Sequence, residues 1–475
     1  MNGSAWLTAW AESSGDRPAL VYRDEQENVK TLSWSELLLQ TALMVCEIDR
    51  QGFVPGDRLV HSFGNRQQGV LVALASLIAG TIEVPLDPAT TSSERDTLLR
   101  ILDGRFFETT KALDPSRLSG DLFLQLRQRE ASYPLHWPAI ILFTSGSTGA
   151  PRGATLSRSN LFSNAQAKLL AAPQKRFDTR LTVLPLWHAY ARTCDLMTWL
   201  LSGCCLAIGH GWEGWQSLSQ MVKPTLINTV PSLASRLLQT AMGTEATSRL
   251  RMLGCGGAIM PESLFHRFSE QGITVIHGYG LTEASPVVCS ATPQDSKSGF
   301  VGKPVDGCET RIGRGGKLEV RGHGVMLGYW NDGEATRQKI NDGWLDTGDC
   351  VEIDSTDGQF RILGRIDDRI TLSNGLKFFP GPIEQRISTL QGILHSLLLP
   401  NDRHVDLIID IDPAVRDVQA GWGDVELALN EFPQWQRPQH IHVAASPFSS
   451  NAELITPKGT LRRKRAVAFY LASRP

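Results

Sequence analysis

Residues 144–153 (TSGSTGAPRG) form the segment of this sequence best suited to holding an anion. The segment directly follows residues 139–143, an apolar run with the composition of a buried strand. Backbone N–H groups and hydroxyls in such a loop can surround phosphate oxygens, because glycine allows a ligand to approach the main chain closely. Arg152 adds a fixed positive charge suited to phosphate. The Walker A spacing G-x-x-x-x-G-K-[ST] is absent, so the pattern predicts a phosphate loop of another type, with a plain surface turn as the alternative.

This loop resembles the phosphate-binding signature of the adenylate-forming superfamily, which comprises acyl- and aryl-CoA synthetases, luciferases and the adenylation domains of peptide synthetases. Further motifs of the superfamily follow in the same order along nearly the whole chain. They are residues 256–258 (GGA), 278–286 (GYGLTEASP), 324–330 (GVMLGYW), 342–349 (DGWLDTGD) and 363–369 (LGRIDDR). Each motif alone has a plausible structural explanation, whereas the ordered series identifies the chain as a member of the superfamily.

The resemblance implies an ATP site with assigned residues. Thr282 would contact the α-phosphate and Glu283 would hold Mg²⁺, so both are predicted to act in catalysis. The residues that the resemblance assigns to ATP or AMP are Thr144, Ser145, Gly146, Ser147, Thr148, Arg152, Gly256, Gly257, Ala258, Tyr279, Gly280, Asp349 and Arg365. Among these, residues 256–258 would pack their backbone against adenine, and Asp349 and Arg365 would contact the ribose hydroxyls.

The chemistry of the superfamily accounts for these residue types. A carboxylate attacks the α-phosphate of ATP and pyrophosphate leaves, which gives an acyl-AMP. Because two anions must meet, the site needs Mg²⁺, cationic side chains and N–H donors that offset charge in the transition state. A carboxylate is already deprotonated at neutral pH, so no strong general base is needed. The sequence accordingly lacks a G-x-S-x-G elbow and an H-E-x-x-H pair, and it also lacks the complete G-x-G-x-x-G of a Rossmann oxidoreductase.

Two segments bear on the acid that is activated. Residues 185–195 (PLWHAYARTCD) and 224–231 (PTLINTVP) resemble long-chain acyl-CoA synthetases, which predicts a fatty acid as the substrate. The resemblance places His188 near the reacting carboxylate as a catalytic residue; a histidine satisfied within the core is the alternative. An amino-acid substrate would need an anion for its ammonium group. Asp195 is the nearby candidate, and we expect Arg192 to pair with it.

A small second lobe is expected to complete the reaction. Residues 374–380 (NGLKFFP) resemble the loop whose glycine, here Gly375, lines the pantetheine tunnel, so CoA is the expected acyl acceptor. A left-handed turn is the alternative explanation for this glycine. Asp367 matches the hinge residue on which the small lobe pivots. A carrier-protein thiol is the alternative acceptor.

Residues 456–464 (TPKGTLRRK) resemble the lysine loop that closes over the adenylation site. The spacing of the superfamily places the catalytic lysine where this chain has Thr460. Lys458 lies two residues earlier and would address the same site from an extended segment, so we predict that it replaces the missing lysine. Thr460 also leaves a second interpretation open, a degenerate nucleotide-binding regulatory protein. A nucleic-acid patch is a weak alternative for the basic run 458–465, and no nucleic-acid partner is expected.

The elements that must position these residues alternate along the chain. Short apolar strands and helical segments, such as those within residues 59–86, predict βαβ units and an α/β fold. The large N-terminal lobe would layer parallel-type sheets with helices, and glycine-punctuated strands after residue 302 would add a β-rich subdomain. The remainder predicts a small, mobile α+β C-terminal domain. We expect an ATP- and acyl-binding domain over residues 1–366 and a lid domain over residues 367–475.

Composition sets the remaining limits. The 475 residues are 41% hydrophobic and 20% charged with a net charge of −2, which is typical of globular domains and gives no overall attraction to nucleic acid. The eight cysteines lack C-x-x-C spacing, which favours reduced thiols and a cytoplasmic protein. No apolar run reaches the roughly 20 residues that span a bilayer, so no integral membrane segment is expected, and peripheral membrane contact stays open.

Overall fold

The computed structural model describes residues 3–109, 122–144, 151–388, 390, 392–412, 422–451, 453–455 and 461–472. The chain divides into two compact units. The first comprises Met1–Arg311 and Glu319–Thr347, and the second comprises Ile312–Leu318 and Gly348–Pro475. The predicted hinge residue Asp367 belongs to the second unit. The predicted domain boundary after residue 366, and a rotation at Asp367, stay predictions.

The strands are mostly short, and β6 contains the predicted apolar run 139–143. Numbered along the chain, they are β1 (Pro18–Arg23), β2 (Val29–Ser33), β3 (Arg58–His61), β4 (Ile82–Pro85), β5 (Arg105–Phe106), β6 (Pro138–Thr144), β7 (Arg152–Ser157), β8 (Thr179–Thr182), β9 (Cys205–Ile208), β10 (Leu226–Thr229), β11 (Met252–Cys255), β12 (Thr274–Gly280), β13 (Val287–Ser290), β14 (Lys303–Pro304), β15 (Cys308–Ile312), β16 (Lys317–Gly322), β17 (Gly328–Tyr329), β18 (Ile340–Asn341), β19 (Trp344–Ile353), β20 (Phe360–Arg365), β21 (Ile370–Thr371), β22 (Lys377–Phe378), β23 (Ile393–Asn401), β24 (His404–Ile411) and β25 (His440–Val443).

The helices lie among these strands. They are α1 (Gly3–Ser14), α2 (Trp34–Arg50), α3 (Gln67–Ala79), α4 (Ser92–Leu102), α5 (Leu122–Ala131), α6 (Arg158–Ala171), α7 (Ala189–Ala191), α8 (Thr198–Ser202), α9 (Gly211–Val222), α10 (Pro231–Thr240), α11 (Glu262–Glu270), α12 (Gly333–Lys339), α13 (Gly381–Ile387), α14 (Trp422–Leu429) and α15 (Arg463–Ala472). A π-helical turn, Arg192–Met197, joins α7 to α8.

Two sheets of largely parallel strands form the framework of the first unit. Within the described residues one sheet has six strands, in the order β17-β7-β6-β4-β3-β5, and the other has nine, in the order β14-β13-β12-β11-β10-β8-β9-β1-β2. β3, α3 and β4 form the predicted βαβ unit, since β3 and β4 pair in parallel. In the larger sheet, the consecutive pairs from β12 to β1 are also parallel. The predicted α/β fold is confirmed.

Helix α2 shows how local sequence positions the helical layer. Ser33 caps its N-terminus, because the Ser33 hydroxyl accepts a hydrogen bond from the N–H of Glu36 and the Glu36 carboxylate accepts one from the N–H of Ser33. An N-cap of this kind stabilises a helix by about 1 kcal/mol. The apolar side chains of α2 are buried, and the helix packs against α3, which is buried from Gly69 to Ala79.

The second unit has its own apolar core. β23, β24 and β25 form a three-stranded sheet that is antiparallel between β23 and β24 and parallel between β24 and β25. Leu398 and Leu407 of this sheet pack with Ile383 of α13 and Val425 of α14. This arrangement of sheet and helices agrees with the predicted small α+β domain.

A largely buried ion pair joins α15 to α13 within the second unit. Arg463 Nη2 donates to Glu384 Oε1 at 3.0 Å, and Arg463 Nε donates to both Glu384 carboxylate oxygens at 3.2 Å. The N–H of Leu398 also donates to Glu384 Oε1, at 2.7 Å. Burial raises the pKa of Glu384 above its usual range, although Arg463 acts in the opposite direction. The two residues depend on each other, because removing one member of a buried pair costs about 3–5 kcal/mol.

No disulfide joins the eight cysteines, and burial raises the pKa of the Cys194 and Cys255 thiols to about 12. These two thiols are therefore poor nucleophiles at neutral pH. In the part of the chain that the structure describes, no helix is both long and apolar enough to cross a membrane.

Candidate active site

The predicted phosphate loop connects β6 to β7, which pair as an antiparallel hairpin ending at Thr144 and Arg152. The Thr144 hydroxyl donates to the Arg152 carbonyl at 3.4 Å. Arg152 Nε lies 3.4 Å from Asp332 Oδ2, and its guanidinium lies 5.7 Å from the centre of the Tyr329 ring. The Arg152 charge is thus held at the base of the loop. The predicted loop residues outside the described part are Ser145, Gly146, Ser147 and Thr148.

Tyr329 connects this hairpin to Glu283. Tyr329 lies on β17, which pairs antiparallel with β7 so that Tyr329 is opposite Ala154. The Tyr329 hydroxyl donates a 2.6 Å hydrogen bond to Glu283 Oε1. Thr282 and Glu283 lie in a short 3-10 turn, Thr282–Ala284, directly after β12. The structure therefore brings the phosphate hairpin and the Thr282–Glu283 motif together, as the resemblance implied.

The surroundings of Glu283 are compatible with its predicted role as a Mg²⁺ ligand. Mg²⁺ is usually bound by one or two carboxylates together with phosphate oxygens and water. The Glu283 side chain is partly exposed, and Tyr329 orients its carboxylate through Oε1. Outer hydrogen-bonding partners of this kind orient metal ligands in general. Tyr329 was not among the predicted site residues, although it lies within the quoted motif 324–330 and that position was the available signal.

The segment predicted to contact adenine lies at one edge of the larger sheet. β10, β11 and β12 are parallel neighbours, so their carboxyl ends meet where ligands of open α/β sheets usually bind. Gly256 directly follows β11, is buried and donates its N–H to the Thr229 carbonyl at 3.2 Å. Gly257 and Ala258 continue from it and are exposed. The GGA segment therefore presents backbone at this edge, which is compatible with the predicted contact.

Tyr279 and Gly280 end β12 at the same edge. Tyr279 pairs with Cys289 of the antiparallel neighbour β13. The backbone comes so close at Gly280 that a Cβ there would collide with the Pro286 carbonyl. Gly280 is required by this close approach, and the short turn with Thr282 follows from it. Both predicted residues thus lie next to the Glu283 turn.

His188 lies just before α7 and is half-buried. The Tyr190 side chain, two residues later, packs on the glycine backbone at the end of β11. A Cβ built on Gly256 would be 2.9 Å from the Tyr190 ring, and one built on Gly254 would be 3.2 Å from the Tyr190 hydroxyl. Burial raises the pKa of the Tyr190 phenol well above its ordinary value, so the phenol is neutral. The predicted acid-binding and adenine-binding segments are therefore in direct contact through Tyr190.

The expected ion pair between Arg192 and Asp195 is wrong. Both residues are buried in the π-helical turn, where each finds a partner from another element. Arg192 Nη2 donates to Glu83 Oε1 at 2.8 Å, and Arg180 Nη1 donates to Asp195 Oδ1 at 2.6 Å. Tertiary packing determines these partners, because β4 supplies the carboxylate for Arg192 and β8 supplies the cation for Asp195. Because Asp195 already holds a cation, it does not offer an anion for an amino-acid substrate.

The predicted ribose contacts Asp349 and Arg365 are neighbours within the second unit. They face each other across the antiparallel pair β19–β20, with Arg365 Nη1 3.6 Å from Asp349 Oδ1. Gly348 has φ +77° and its backbone lies against the Arg365 guanidinium, 2.6 Å from where a Cβ would be. A side chain at position 348 would be both strained and obstructed. Glycine thus allows the two predicted ribose contacts to lie side by side.

Asp367 and Gly375, the predicted hinge and CoA-tunnel residues, also lie in the second unit. Asp367 Oδ2 accepts a 2.9 Å hydrogen bond from Lys464 Nζ, and this bond is the main cause that lowers the pKa of Asp367. Gly375 has φ +83° in the turn between β21 and β22 and donates its N–H to the Leu372 carbonyl. This is a left-handed turn, and the tunnel role of Gly375 stays a prediction. Lys458 lies outside the described residues.

Comparison with known proteins decides the family. Residues 7–330 match the AMP-binding enzyme family, and this match covers more than half of the chain. The chain belongs to the AMP-binding enzyme family. The predicted membership of the adenylate-forming superfamily is confirmed.

Curated relatives of this AMP-binding enzyme include ligases of two acid types. The 2-succinylbenzoate–CoA ligase of Salmonella typhimurium is 29% identical over 438 residues, which are 90% of this chain and 91% of that protein. The long-chain-fatty-acid–CoA ligase of Yersinia pestis is 35% identical over 290 residues, which are 56% of this chain and 50% of that protein. These relatives confirm the predicted enzyme class, an AMP-forming acid–thiol ligase.

A solved structure shows the shared fold. The anthranilate CoA ligase AuaEII in complex with anthranoyl-AMP has a TM-score of 0.84 with this AMP-binding enzyme at 18% identity. The similarity covers 100% of this chain and 98% of that one. The fold prediction is thus supported along the whole length of the chain.

Replacement of Asp349 by alanine is expected to weaken ATP binding by about 1.5–3 kcal/mol, because charged hydrogen bonds to the ribose hydroxyls would be lost. Calorimetric titration with ATP measures this change. Glu352→Ala is the matched control, since Glu352 lies opposite Arg361 in the same strand pair at a charge separation of 3.8 Å. Equal ATP affinity of the Asp349→Ala variant and its parent would contradict the ribose assignment.

Proposed function

We propose that this AMP-binding enzyme activates an aromatic carboxylic acid with ATP and transfers the acyl group to CoA. The observation that carries the acid class is the position of Tyr190. The Tyr190 side chain packs on the backbone of Gly254 and Gly256, and Tyr190 is two residues from His188. An acid bound beside His188, as the resemblance implies, would meet this ring, which would limit the length of the acid and offer it an aromatic face.

Aromatic packing explains why this position favours a ring-containing acid. Aromatic pairs gain about 0.5–1.5 kcal/mol beyond the burial of their surface. A long alkyl chain would instead need a continuous apolar channel, in which each buried methylene contributes roughly 0.8 kcal/mol. If such a channel ran past the end of β11, the Tyr190 ring would have to move away from Gly254 and Gly256 to make room for it. The neutral phenol adds no charge that would repel or bind the carboxylate.

The proposed reaction has two steps, adenylation of the acid and transfer of the acyl group to CoA. In the first, a carboxylate oxygen attacks the α-phosphorus of ATP, the bond to the bridging oxygen breaks, and pyrophosphate leaves. In the second, the CoA thiolate attacks the acyl carbon and AMP leaves. Arg152, Thr282 and the phosphate loop would bind the phosphates, and Mg²⁺ held by Glu283 would offset their charge when bound. His188 would orient the acid carboxylate.

The relatives support an aromatic acid and also leave a second candidate. The Salmonella relative, which spans 90% of this chain, acts on 2-succinylbenzoate, an acid that contains an aromatic ring. The Yersinia relative is more similar in sequence but over 56% of the chain, and it acts on long-chain fatty acids. A fatty acid, as the motif 185–195 predicted, is therefore the second candidate.

A panel of acids tests the proposed substrate class. Pyrophosphate release is measured with benzoates, cinnamates and fatty acids of increasing length, each with and without CoA. We expect aromatic acids to have the highest kcat/KM in the parent enzyme. Tyr190→Ala should raise kcat/KM for long acids relative to aromatic acids, and Tyr190→Phe, which keeps the ring, should preserve the parental order.

Other results of the same panel would select other functions. A steady rise of kcat/KM with alkyl chain length in the parent would favour the fatty acid. Acyl-AMP formation that CoA does not convert to a thioester would favour a carrier-protein thiol as acceptor. If pyrophosphate is released with none of the acids, the degenerate nucleotide-binding protein predicted from Thr460 replaces the proposal.

A further inference from the structure

Three side chains of the second unit converge where β24 meets β25. His404 and Asp406 alternate along β24 and therefore point to the same face of the sheet. β25 runs parallel to β24 with His440 opposite Asp406. Two imidazoles and one carboxylate are thus brought to one place from two strands that are far apart in sequence. None of the three belongs to the predicted ATP or acid site.

The separations of the nitrogen and oxygen atoms suit a shared cation. Asp406 Oδ1 lies 3.5 Å from His404 Nε2 and 3.1 Å from His440 Nδ1. One ligand atom from each residue lies within 4.8 Å of the other two. In a tetrahedral zinc site with bonds of about 2.0–2.1 Å, ligand atoms are roughly 3.3 Å apart. A small rotation of the side chains would therefore place all three donors on one ion.

The surroundings of the cluster orient its donors. Asn401 Nδ2 donates to Asp406 Oδ2 at 2.8 Å, which leaves Oδ1 directed at both histidines. Outer hydrogen bonds of this kind are typical of metal-binding carboxylates. His404 Nε2 is buried, and its 3.5 Å contact with Asp406 Oδ1 does not have the geometry of a hydrogen bond, so within the described residues this nitrogen makes none. A buried nitrogen without a partner is costly, and a bound cation would satisfy it.

We propose that His404 Nε2, Asp406 Oδ1 and His440 Nδ1 bind a divalent first-row transition metal, with Zn²⁺ as the expected ion. Two imidazoles with one carboxylate suit Zn²⁺, whereas Mg²⁺ and Ca²⁺ prefer a shell of oxygen ligands. A fourth position is open to water on the side of His440, whose side chain is 60% exposed. The ion would cross-link β24 to β25. Because it would hold the two ends of the long connection between these strands together, its binding would stabilise the folded second unit.

Metal binding by the full-length protein tests this site. The protein is treated with a chelator and titrated with Zn²⁺ in millimolar Mg²⁺, and Co²⁺ absorption reports the coordination geometry. We expect one Zn²⁺ per chain beyond any bound at Glu283, which titration of a Glu283→Gln variant separates. His404→Ala and His440→Ala should each weaken Zn²⁺ binding at least about 100-fold, because even outer partners contribute about 10–100-fold. Asn401→Ala should weaken it by about 10–100-fold.

His395 provides a matched control in the same sheet. His395 Nδ1 lies 3.0 Å from Asp410 Oδ2, and the metal cluster does not include this pair. His395→Ala should therefore leave Zn²⁺ affinity and the Co²⁺ spectrum unchanged. His440→Gln, at an exposed position, replaces any alanine variant whose circular dichroism shows misfolding. Equal Zn²⁺ affinity in the parent, His404→Ala and His440→Gln proteins would overturn the proposal.

Discussion

Replacement of Glu283 by glutamine is expected to slow acid-dependent ATP–pyrophosphate exchange by about 10²–10³-fold, the loss typical of one preorganised charge-stabilising group. Glutamine keeps an oxygen that can accept the 2.6 Å hydrogen bond from the Tyr329 hydroxyl, so the local packing should survive. What the variant loses is the negative charge that a hard cation requires. Isotope exchange at saturating ATP measures the rate, and circular dichroism confirms folding.

Tyr329→Phe separates the charge of Glu283 from its hydrogen bond. Phenylalanine removes the donor to Glu283 Oε1 and leaves the carboxylate in place, so we expect a loss of about 10–100-fold, as for outer partners of metal ligands. Raising the Mg²⁺ concentration should restore exchange more in Tyr329→Phe than in Glu283→Gln. If Glu283→Gln exchanges at the parental rate, the assignment of Glu283 to Mg²⁺ is wrong, and the residue serves as an acceptor for Tyr329.

Lys458→Ala is expected to slow acyl-AMP formation by about 10²–10³-fold. The carboxylate must approach an anionic triphosphate, and a cation that bridges the two is most effective in the transition state. Thr460 has no charge to supply this stabilisation, whereas Lys458 has a long, flexible ammonium group followed by Gly459. Conversion of preformed acyl-AMP to the CoA thioester should change little, because no triphosphate is then present. Single-turnover assays of the two steps make the comparison.

Two further variants distinguish a specific lysine from general positive charge. Thr460→Lys in the Lys458→Ala background should restore part of the adenylation rate. Arg465→Ala removes an exposed charge from the same basic run and should leave both steps unchanged. A Lys458→Ala enzyme that adenylates as fast as its parent would exclude the substitution of Lys458 for the missing lysine.

Features encoded in neighbouring residues were predictable from the sequence. Ser33 followed three residues later by Glu36 is the pattern of a capping box, and α2 begins there. The apolar segments within residues 59–86 predicted a βαβ unit because strand and helix periodicities differ, and β3, α3 and β4 form it. Gly280 of the motif 278–286 also has a local reason, because only glycine fits the close contact with the Pro286 backbone.

Contacts between distant segments were not predictable in the same way. Asp195 is three residues from Arg192, yet Arg192 pairs with Glu83, which is 109 residues away in sequence. Burial forces each charge to find a partner, and the order of strands in the sheet decides which partner lies within reach. The contact from Tyr329 to Glu283 spans 46 residues and depends on β17 pairing with β7.

The proposed metal site of His404, Asp406 and His440 also depends on a contact between distant segments that the sequence does not predict. The spacing His404-x-Asp406 on a strand places two donors on one face, and sequence could have indicated this much. The third donor depends on the register that sets His440 opposite Asp406. Residues 440–443 were not predicted as a strand, because a four-residue segment with two histidines gives a weak periodic signal.

The ion pair between Glu384 and Arg463 bears on the order in which the second unit is made. Arg463 follows Glu384 by 79 residues, so the ribosome completes α13 and β23 long before it adds the guanidinium that Glu384 requires. Until then, burying Glu384 would leave its carboxylate with the Leu398 N–H but without a cationic partner, and the nascent segment gains little from closing its core. We therefore expect the second unit to acquire its tertiary structure in one late step during translation, with α15 as the last element to dock.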